Sequence, residues 1–547
     1  SYRTHKSASG IHLGKCQRRA LALLLFGHKR GNFALCRLCS GLPPQRRQES
    51  GCLDGHKTHH GQPHNGNKKV KKTDLDYSRF LEDDIFGVVS AAARELGVPA
   101  YVIGGYVRDK ILGRKDPKDI DIVCVGSGIS LAQKVAEKLP HKTKVQVFRN
   151  FGTAMLRSGD WEVEFVGARR ESYDRNSRKP VVEDGTLEDD QNRRDFTINA
   201  LALSLGENDY GQLLDPFGGM EDLRSKLIRT PLDPDITYSD DPLRMMRAIR
   251  FACQLGFVIF PESFDAIRRN RERLSIISFE RITDELNKIM LSKKPSAGLY
   301  LLEKAGLLEY ILPEVTDLKG TSEKEGQSHK DNFRHTLEVV DNISKNTDNL
   351  YLRYAALLHD IGKAVTRSWN EKAGWTFHGH EYVGGAKMVP KVFKRLRLPL
   401  GAEMKYVQKL VIMSSRPIAA ADQGATDSAI RRLLFDAGTD INDLMTLCEA
   451  DITTKNQARR EKFLRNFSTV RSRLVEVEQR DRLAAWQPPV SGQTIMNTFG
   501  IPPCHTVGVI KDAIREAILD GVIPNEYGPA YDFMIEKGRE LGLAAKE

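Results

Sequence analysis

The sequence predicts an α/β head followed by a longer, all-helical remainder. Two patterns carry this expectation. Residues 101–125, YVIGGYVRDKILGRKDPKDIDIVCV, hold short apolar strands broken by a Gly-Gly turn, and a further strand pattern lies at Trp161–Val166. From residues 239–251, SDDPLRMMRAIRF, apolar and charged residues recur at helical spacing. Length sets the scale: 547 residues suggest about three or four domains, each able to bury its own core.

Composition narrows the class. The chain is 40% hydrophobic and 28% charged, as soluble globular proteins are. No run approaches the roughly 18–20 apolar residues of a membrane span. The longest, Ala20–Phe26, is followed at once by His28, Lys29 and Arg30. A net charge of +11 suggests nucleic acid until it is divided along the chain. Residues 1–73 hold 15 Lys/Arg and 2 Asp/Glu, a net of +13, while the remainder holds 68 and 70, a net of −2. Only local clusters in the body can therefore speak for RNA. Cys124, Cys253, Cys448 and Cys504 are scattered singly, which fits a reducing cytoplasm without a disulfide framework.

Residues 1–73 are Gly-, His- and basic-rich and carry no helical or strand period. Cys36-x-x-Cys39 with Cys52, His56 and His60 offers zinc-ligand residue types. The spacing fits no standard finger and little apolar sequence surrounds it, so the segment reads as disordered. The first Met is Met155, and ordinary folded sequence starts near Asp74. Residues 1–69 therefore read as upstream sequence, with Val70 as the expected start.

The head elements follow in order. Ile85–Leu96 has amphipathic helical spacing and is closed by Gly97 and Pro99. Tyr101–Ile103 is a short strand. Gly104-Gly105 allows a backbone to approach a ligand closely, and Arg108 can pair with phosphate. In the next strand Ile120, Ile122, Val123 and Val125 are apolar, and the period of two places Asp119 and Asp121 on one face. Neighbouring carboxylates repel, and Mg²⁺ shared with substrate phosphates relieves that repulsion. Such a metal also activates an attacking hydroxyl. Glu164 reads most simply as a surface-facing strand acid, and otherwise as a third carboxylate.

Two more motifs follow, NRRDFTINALA at 192–202 and the helical SDDPLRMMRAIRF at 239–251. In the second, Asp241, Arg244, Arg247 and Arg250 fall at three-residue steps and share a drifting stripe. Met245, Met246, Ile249 and Phe251 make the other faces apolar. Something anionic is expected among these cations.

Together, GGYVRD with DIDIV, RRDFTINALA and DDPLRMMRAIRFA resemble the class II tRNA nucleotidyltransferase and bacterial poly(A) polymerase family. The resemblance runs from about residue 80 to the C-terminus. It implies a polymerase-beta-like nucleotidyltransferase head followed by an all-α neck, RNA-binding body, HD domain and tail. It implies that Asp119 and Asp121 bind catalytic Mg²⁺. Gly105 and Arg108 are implied to contact the triphosphate, and Arg194 the nucleotide. Asp241 and Arg244 are implied to read the base, with Arg247 and Arg250 nearby. Asp240 stands where the family usually has Glu and is given no role. A carboxylate beside a guanidinium can match the edges of both cytosine and adenine, replacing a nucleic-acid template.

A second pattern lies downstream. NFRHTLEVV and YAALLHDIGK within residues 332–363, FHGHE at 377–381 and CEAD at 448–451 resemble the H…HD…D pattern of HD-domain phosphohydrolases. His335, His359, Asp360 and Asp451 are the expected ligands of a divalent transition metal. His378 or His380 is expected to add a ligand or phosphate contact. Residues 455–474, KNQARREKFLRNFSTVRSRL, form a basic helix with interleaved Phe463, Phe467 and Leu474. It reads either as a solvated face or as a phosphate contact to RNA. Residues 492–525 resemble the family's small helical tail module.

The expected divisions are 1–73, a disordered or non-native extension; 74–230, the head; 231–320, the neck and RNA-binding helices; 321–455, the HD domain; and 456–547, a helical tail contacting RNA. The implied activity is a cytoplasmic one, transfer of CMP and AMP from CTP and ATP to the 3′ hydroxyl of tRNA. Poly(A) polymerase shares every head motif and is the nearest alternative. CCA addition is preferred because an HD domain accompanies many bacterial CCA-adding enzymes and the tail is not strongly basic. Addition restricted to CC or to A, an HD phosphohydrolase with a silent head, and a non-catalytic RNA-binding protein complete the alternatives.

Overall fold

The protein is described from a computed structural model, which covers residues 72–114, 119–172, 181–320, 323–324, 327–328, 331–422, 424–481 and 489–546. The zinc-ligand and disorder readings and the Val70 start lie outside the described residues.

The head is built on one eight-stranded sheet. Its strands are β1 (Lys72–Asp76), β2 (Ala100–Ile103), β3 (Asp119–Cys124), β4 (Gln146–Phe148), β5 (Thr153–Ser158) and β6 (Trp161–Gly167). After a separate hairpin, β7 (Arg169–Ser172) and β8 (Val181–Asp184), come β9 (Ala202–Ser204) and β10 (Gln212–Leu214). The order is β1-β10-β9-β2-β3-β6-β5-β4. Neighbours run antiparallel except β3 and β6, which are parallel. The connection between them runs through helix α3 (Gly128–Lys138) and then strands β4 and β5, long enough for the crossover that parallel neighbours require.

Helix α1 (Asp84–Leu96) forms as its spacing predicts. It buries Ile85, Phe86, Val89, Ala92 and Ala93, and Gly97 ends it at φ +66°. α1 and α3 pack on the sheet face that carries Ile120, Ile122, Val163 and Phe165. Gly128 permits the close approach of α3, because a Cβ there would lie 2.8 Å from the Val166 carbonyl carbon. Strand alternation then turns Asp119, Asp121 and Glu164 to the opposite, uncovered face. Helix α2 (Gly105–Ile111) follows β2 and buries Tyr106, Val107 and Arg108.

Beyond the head the chain is largely helical. α4 (Leu243–Leu255) and α5 (Phe279–Met290) pack side by side beneath the head. α6 (Asn332–Ser344), α7 (Leu350–Leu358) and α8 (Ile441–Ala450) carry the second site, and α9 (Gln457–Asp481) is the long basic helix. Short β pairs interrupt the expected all-helical remainder. Leu227–Ile228 pairs with Val258–Ile259, and Ser368–Asn370 forms a hairpin with Gly374–Thr376, in which Trp369 faces Trp375. The first pair ties head to neck.

One continuous apolar core runs from Leu81 to Val477, through head, body and HD region. The last three helices, Gly492–Phe499, His505–Leu519 and Tyr527–Glu540, close around a core of their own with Ile495, Phe499, Ile510, Ile514 and Met534. Among the described residues no helix is long and apolar enough to cross a membrane.

Candidate active site

The register of β3 against its neighbours builds the first site. Asp119 lies opposite Glu162 and Asp121 opposite Glu164 on parallel β6, while Ile103 of β2 faces Asp121 from the other side. Glu164 thus stands beside the Asp pair, at the position that its sequence favoured only as the less simple account. Burial, with Asp119 and Asp190 nearby, pushes the Asp121 carboxyl up, against the pull of Arg194. Burial and Asp121 push Glu164 up in turn. These acids repel one another and share a face, the donor chemistry of a hard divalent cation.

Gly104 is needed at the rim of this cluster. At φ +83° its Cβ would lie 3.1 Å from Arg194 Nη1 and 3.2 Å from Asp121 Oδ2. Its freedom therefore serves protein side chains directly, and the sequence signal of a ligand approach was indirect.

A cleft of about 450 Å³ opens over the carboxylates. Gly105, Arg108, Arg194, Arg247 and Arg250 line it together with Asp119 and Asp121. Their guanidiniums are already oriented. Arg108 Nη1 donates to Asn199 Oδ1 at 2.7 Å, and its Nε and Nη2 donate to Asp109 at 3.0 and 2.8 Å. Asn199 Nδ2 donates to Asp195 Oδ1 at 2.9 Å, and Arg247 Nε donates to Asp195 Oδ2 at 2.7 Å. Asp195 is buried, yet Arg247 and these hydrogen bonds hold its carboxyl below the usual range. Arg194 Nε donates to Asp190 at 3.1 Å. Arg250 donates to Glu285 of α5 and, at 3.1 Å, to Gln254. Phe251 lies under three of these cations, with ring-centroid distances of 4.9 Å to Arg108, 5.4 Å to Arg247 and 3.9 Å to Arg250.

The anions among the arginine stripe are therefore the protein's own Asp195 and Glu285. Asp195, Asn199 and Phe251, which line the cleft, and Glu285, which holds Arg250, were not singled out for the site by sequence reasoning. The first two sit in NRRDFTINALA, where only Arg194 was singled out. Glu285 carries no local signal, since it arrives from a separate helix.

Asp241 and Arg244 do not line this cleft. Arg244 is buried and donates to Thr237 O at 3.2 Å and to Arg193 O at 2.6 Å. Asp241 Oδ1 accepts the Leu243 N–H at 3.1 Å, and its Oδ2 is 3.5 Å from Arg281 Nη2. Arg244 therefore touches the residue before Arg194, while the Asp241 side chain faces Arg281.

The second site forms where α6, α7 and α8 meet. His335, His359 and Asp360 present ligand atoms within 4.8 Å of one another. Asp451 joins them, its Oδ1 lying 2.8 Å from His335 Nε2 and 3.5 Å from His359 Nε2. His380 Nε2 is 3.5 Å from Asp360 Oδ1, whereas no contact ties His378 to the cluster among the described residues. The outer nitrogens are fixed: His359 Nδ1 bonds Ala356 O at 2.8 Å, and His335 Nδ1 pairs with Thr453 Oγ1 at 3.0 Å. His359 Nε2 is buried without a hydrogen-bond partner, and Asp451 Oδ1 faces the ring nitrogens of His335 and His359. Burial pulls the His359 imidazole down, but Asp360 and Asp451 outweigh it and push it up to about 10. Two imidazoles and two carboxylates whose ligand atoms converge on one point are the donor set of a divalent transition metal.

The interleaved residues of α9 separate. Phe467 and Leu474 are core residues, and only Phe463 remains half-exposed.

Fold and sites define a nucleotidyltransferase head joined to an HD-type metal site. The poly A polymerase head domain family matches residues 100–229, the family described as the probable RNA and SrmB-binding site of polymerase A matches 256–319, and the HD domain family matches 332–455. An A-adding tRNA nucleotidyltransferase of Deinococcus radiodurans is 33% identical over 60% of this chain and 75% of its own length. A CC-adding tRNA nucleotidyltransferase of Halalkalibacterium halodurans is 32% identical over 51% of this chain and 70% of its own. A CCA-adding enzyme solved in complex with ATP shares the fold, with a TM-score of 0.57 at 21% identity, over 85% of this chain and 99% of that one. The chain belongs to the class II tRNA nucleotidyltransferase and bacterial poly(A) polymerase family, in its HD-containing form.

Proposed function

We propose that this chain adds CMP and AMP, from CTP and ATP, to the 3′ hydroxyl of tRNA. The observation that carries the reading is the in-register set Asp119, Asp121 and Glu164 at the floor of an arginine-lined cleft. Asp119 and Asp121, with Glu164 beside them, are the residues that would hold Mg²⁺, which supplies charge neutralisation and activation of the attacking hydroxyl. Arg194, Arg247 and Arg250 provide the positive field for a triphosphate. Arg108, Asn199 and Asp195 hold that field in place through their linked hydrogen bonds.

Arg244 uses one N–H on each terminal nitrogen for a backbone carbonyl. Its Nε–H and one N–H on each terminal nitrogen are left for a base edge. Asp241 beside it offers the acceptor. The family resemblance implies a base-reading role for the pair, whose side chains lie outside the cleft over the carboxylates.

One second reading has a specific observation behind it. The Deinococcus relative is named for A addition and the Halalkalibacterium relative for CC addition, at nearly equal identity. Addition of A alone or CC alone is the corresponding restricted activity. Incubating tRNA ending before the CCA triplet, or after its CC, with CTP, ATP or both decides between them. Growth by three nucleotides from CTP and ATP supports the proposal. Growth only from a CC end with ATP supports the restricted reading, and growth by many A residues supports a poly(A) polymerase.

The HD centre would hold its metal through His335, His359, Asp360 and Asp451, with His380 beside them. A phosphohydrolase activity is proposed for it. Release of phosphate that depends on Ni²⁺ or Mn²⁺ and disappears on His359→Ala tests that activity.

A further inference from the structure

The HD cluster opens into a cleft of about 780 Å³, one end of which is formed by its His335 and Asp451. Pockets of about 300–1,000 Å³ accommodate ligands of nucleotide size. The far wall is not part of the HD domain match, which ends at residue 455. It is the first turns of α9, carrying Arg459 and Phe463.

This wall is fixed in place. Further along α9, Phe467 and Val470 are buried in the main core, and Arg471 Nε pairs with Glu449 Oε1 of α8 at 2.6 Å. At the free end, Arg459 lies 5.8 Å from the Phe463 ring centroid. Among the described residues neither Arg459 nor Lys455 has a carboxylate partner. Lys363 Nζ, 2.7 Å from Asp360 Oδ2, adds positive charge next to the metal ligands. The cleft thus places cations beside the HD ligands and a flat aromatic, half-exposed, across from them. Bare phosphate or pyrophosphate would leave the aromatic wall unused. A nucleotide uses both ends, since its phosphate suits the cations and its base stacks on a phenyl ring.

We infer that α9 completes the HD cleft as a nucleotide pocket, with the base on Phe463, flanked by Arg459, and a terminal phosphate directed to Lys363 and the His335–Asp451 end. This rests on the phosphohydrolase reading for the chemistry, but not for the binding. It makes Phe463 a specificity-determining residue on a helix outside the HD domain itself. The ligand class is a nucleotide carrying a terminal phosphate, either free or at an RNA end.

A reporter in the cleft tests the binding. In the full chain, Phe463→Trp places an indole there, and adenosine 3′-monophosphate should quench its emission saturably. Glycerol 2-phosphate should not, and the unsubstituted chain should give no such signal. Emission unchanged up to about 10 mM nucleotide, weaker than any affinity a stacked base provides, overturns the pocket. A short RNA with a 3′-phosphate that quenches at lower concentration than the mononucleotide identifies an RNA end as the source, and the reverse order identifies the free nucleotide.

Kinetics supply a second arm. With Mn²⁺ or Ni²⁺ present, Phe463→Leu should raise KM for adenosine 3′-monophosphate by about tenfold or more and leave kcat within about twofold. KM for glycerol 2-phosphate should stay unchanged. Equal effects on both substrates would reduce Phe463 to a packing residue and overturn the inference. If the wild-type chain releases phosphate from neither, the phosphohydrolase reading falls, and the indole signal alone still decides the pocket.

Discussion

At the scale of single residues, the head site is a place where stability is given up for chemistry. Asp121 and Glu164 are both pushed up by burial and by neighbouring acids. A carboxyl whose folded pKa is raised penalises the ionised native state. That penalty is absent below the ordinary carboxylate range and grows as pH rises through it. Asp121→Asn should therefore raise the unfolding midpoint of the metal-free protein at pH 7 by about 2 °C, corresponding to a gain of about 0.5–1 kcal/mol. Scanning calorimetry at pH 7 and pH 4 checks this. The gain should shrink at the lower pH, and a destabilised variant at pH 7 would remove the repulsion from the account. The Asp pair itself was legible, because a strand period of two fixes which side chains share a face. Glu164 was not, because its approach to Asp121 depends on the β3–β6 register, which no local sequence states.

At the scale of elements, α4 is held between head and body by its arginines. Arg247 reaches Asp195 of the head at 2.7 Å, and Arg250 reaches the buried Glu285 of α5. Glu285→Ala would leave Arg250 buried beside Phe251 without its carboxylate. Removing one partner of a buried ion pair costs about 3–5 kcal/mol. Chemical denaturation should register a loss of that order, and steady-state kinetics should register a raised nucleotide KM. A variant with wild-type stability and KM would mean that Glu285 does not position the stripe. The sequence made the stripe visible and called for an anion among its charges. It could not say that Asp195 and Glu285 serve, since Glu285 lies 35 residues beyond Arg250. Helix α1 and the strands around the Gly-Gly turn were legible from local periodicity and terminators. The short β pairs were not, being too brief for any period.

At the scale of the whole molecule, the head, body and HD region share one apolar core, while the two metal-suited centres use separate side chains. His359→Ala with Asp360→Ala should end metal-dependent phosphate release and leave nucleotide addition within about twofold of wild type, as primer-extension and phosphate-release assays on one preparation would report. Loss of both activities in a folded double variant would contradict two independent centres. The order of the centres along the chain was legible, because each carries several spaced motifs. The α9 wall of the HD cleft was not, because Phe463 and Phe467 look alike in sequence and only packing separates core from cleft. The central claim is that the carboxylates at the floor of the head cleft carry nucleotide addition. Its most direct measurement is the rate of CMP and AMP incorporation into truncated tRNA by Asp119→Ala, together with tRNA affinity by filter binding. The account predicts incorporation reduced by about 10³-fold or more, several kcal/mol of barrier, with tRNA affinity nearly unchanged. Incorporation within about tenfold of wild type, about 1.4 kcal/mol, would contradict it.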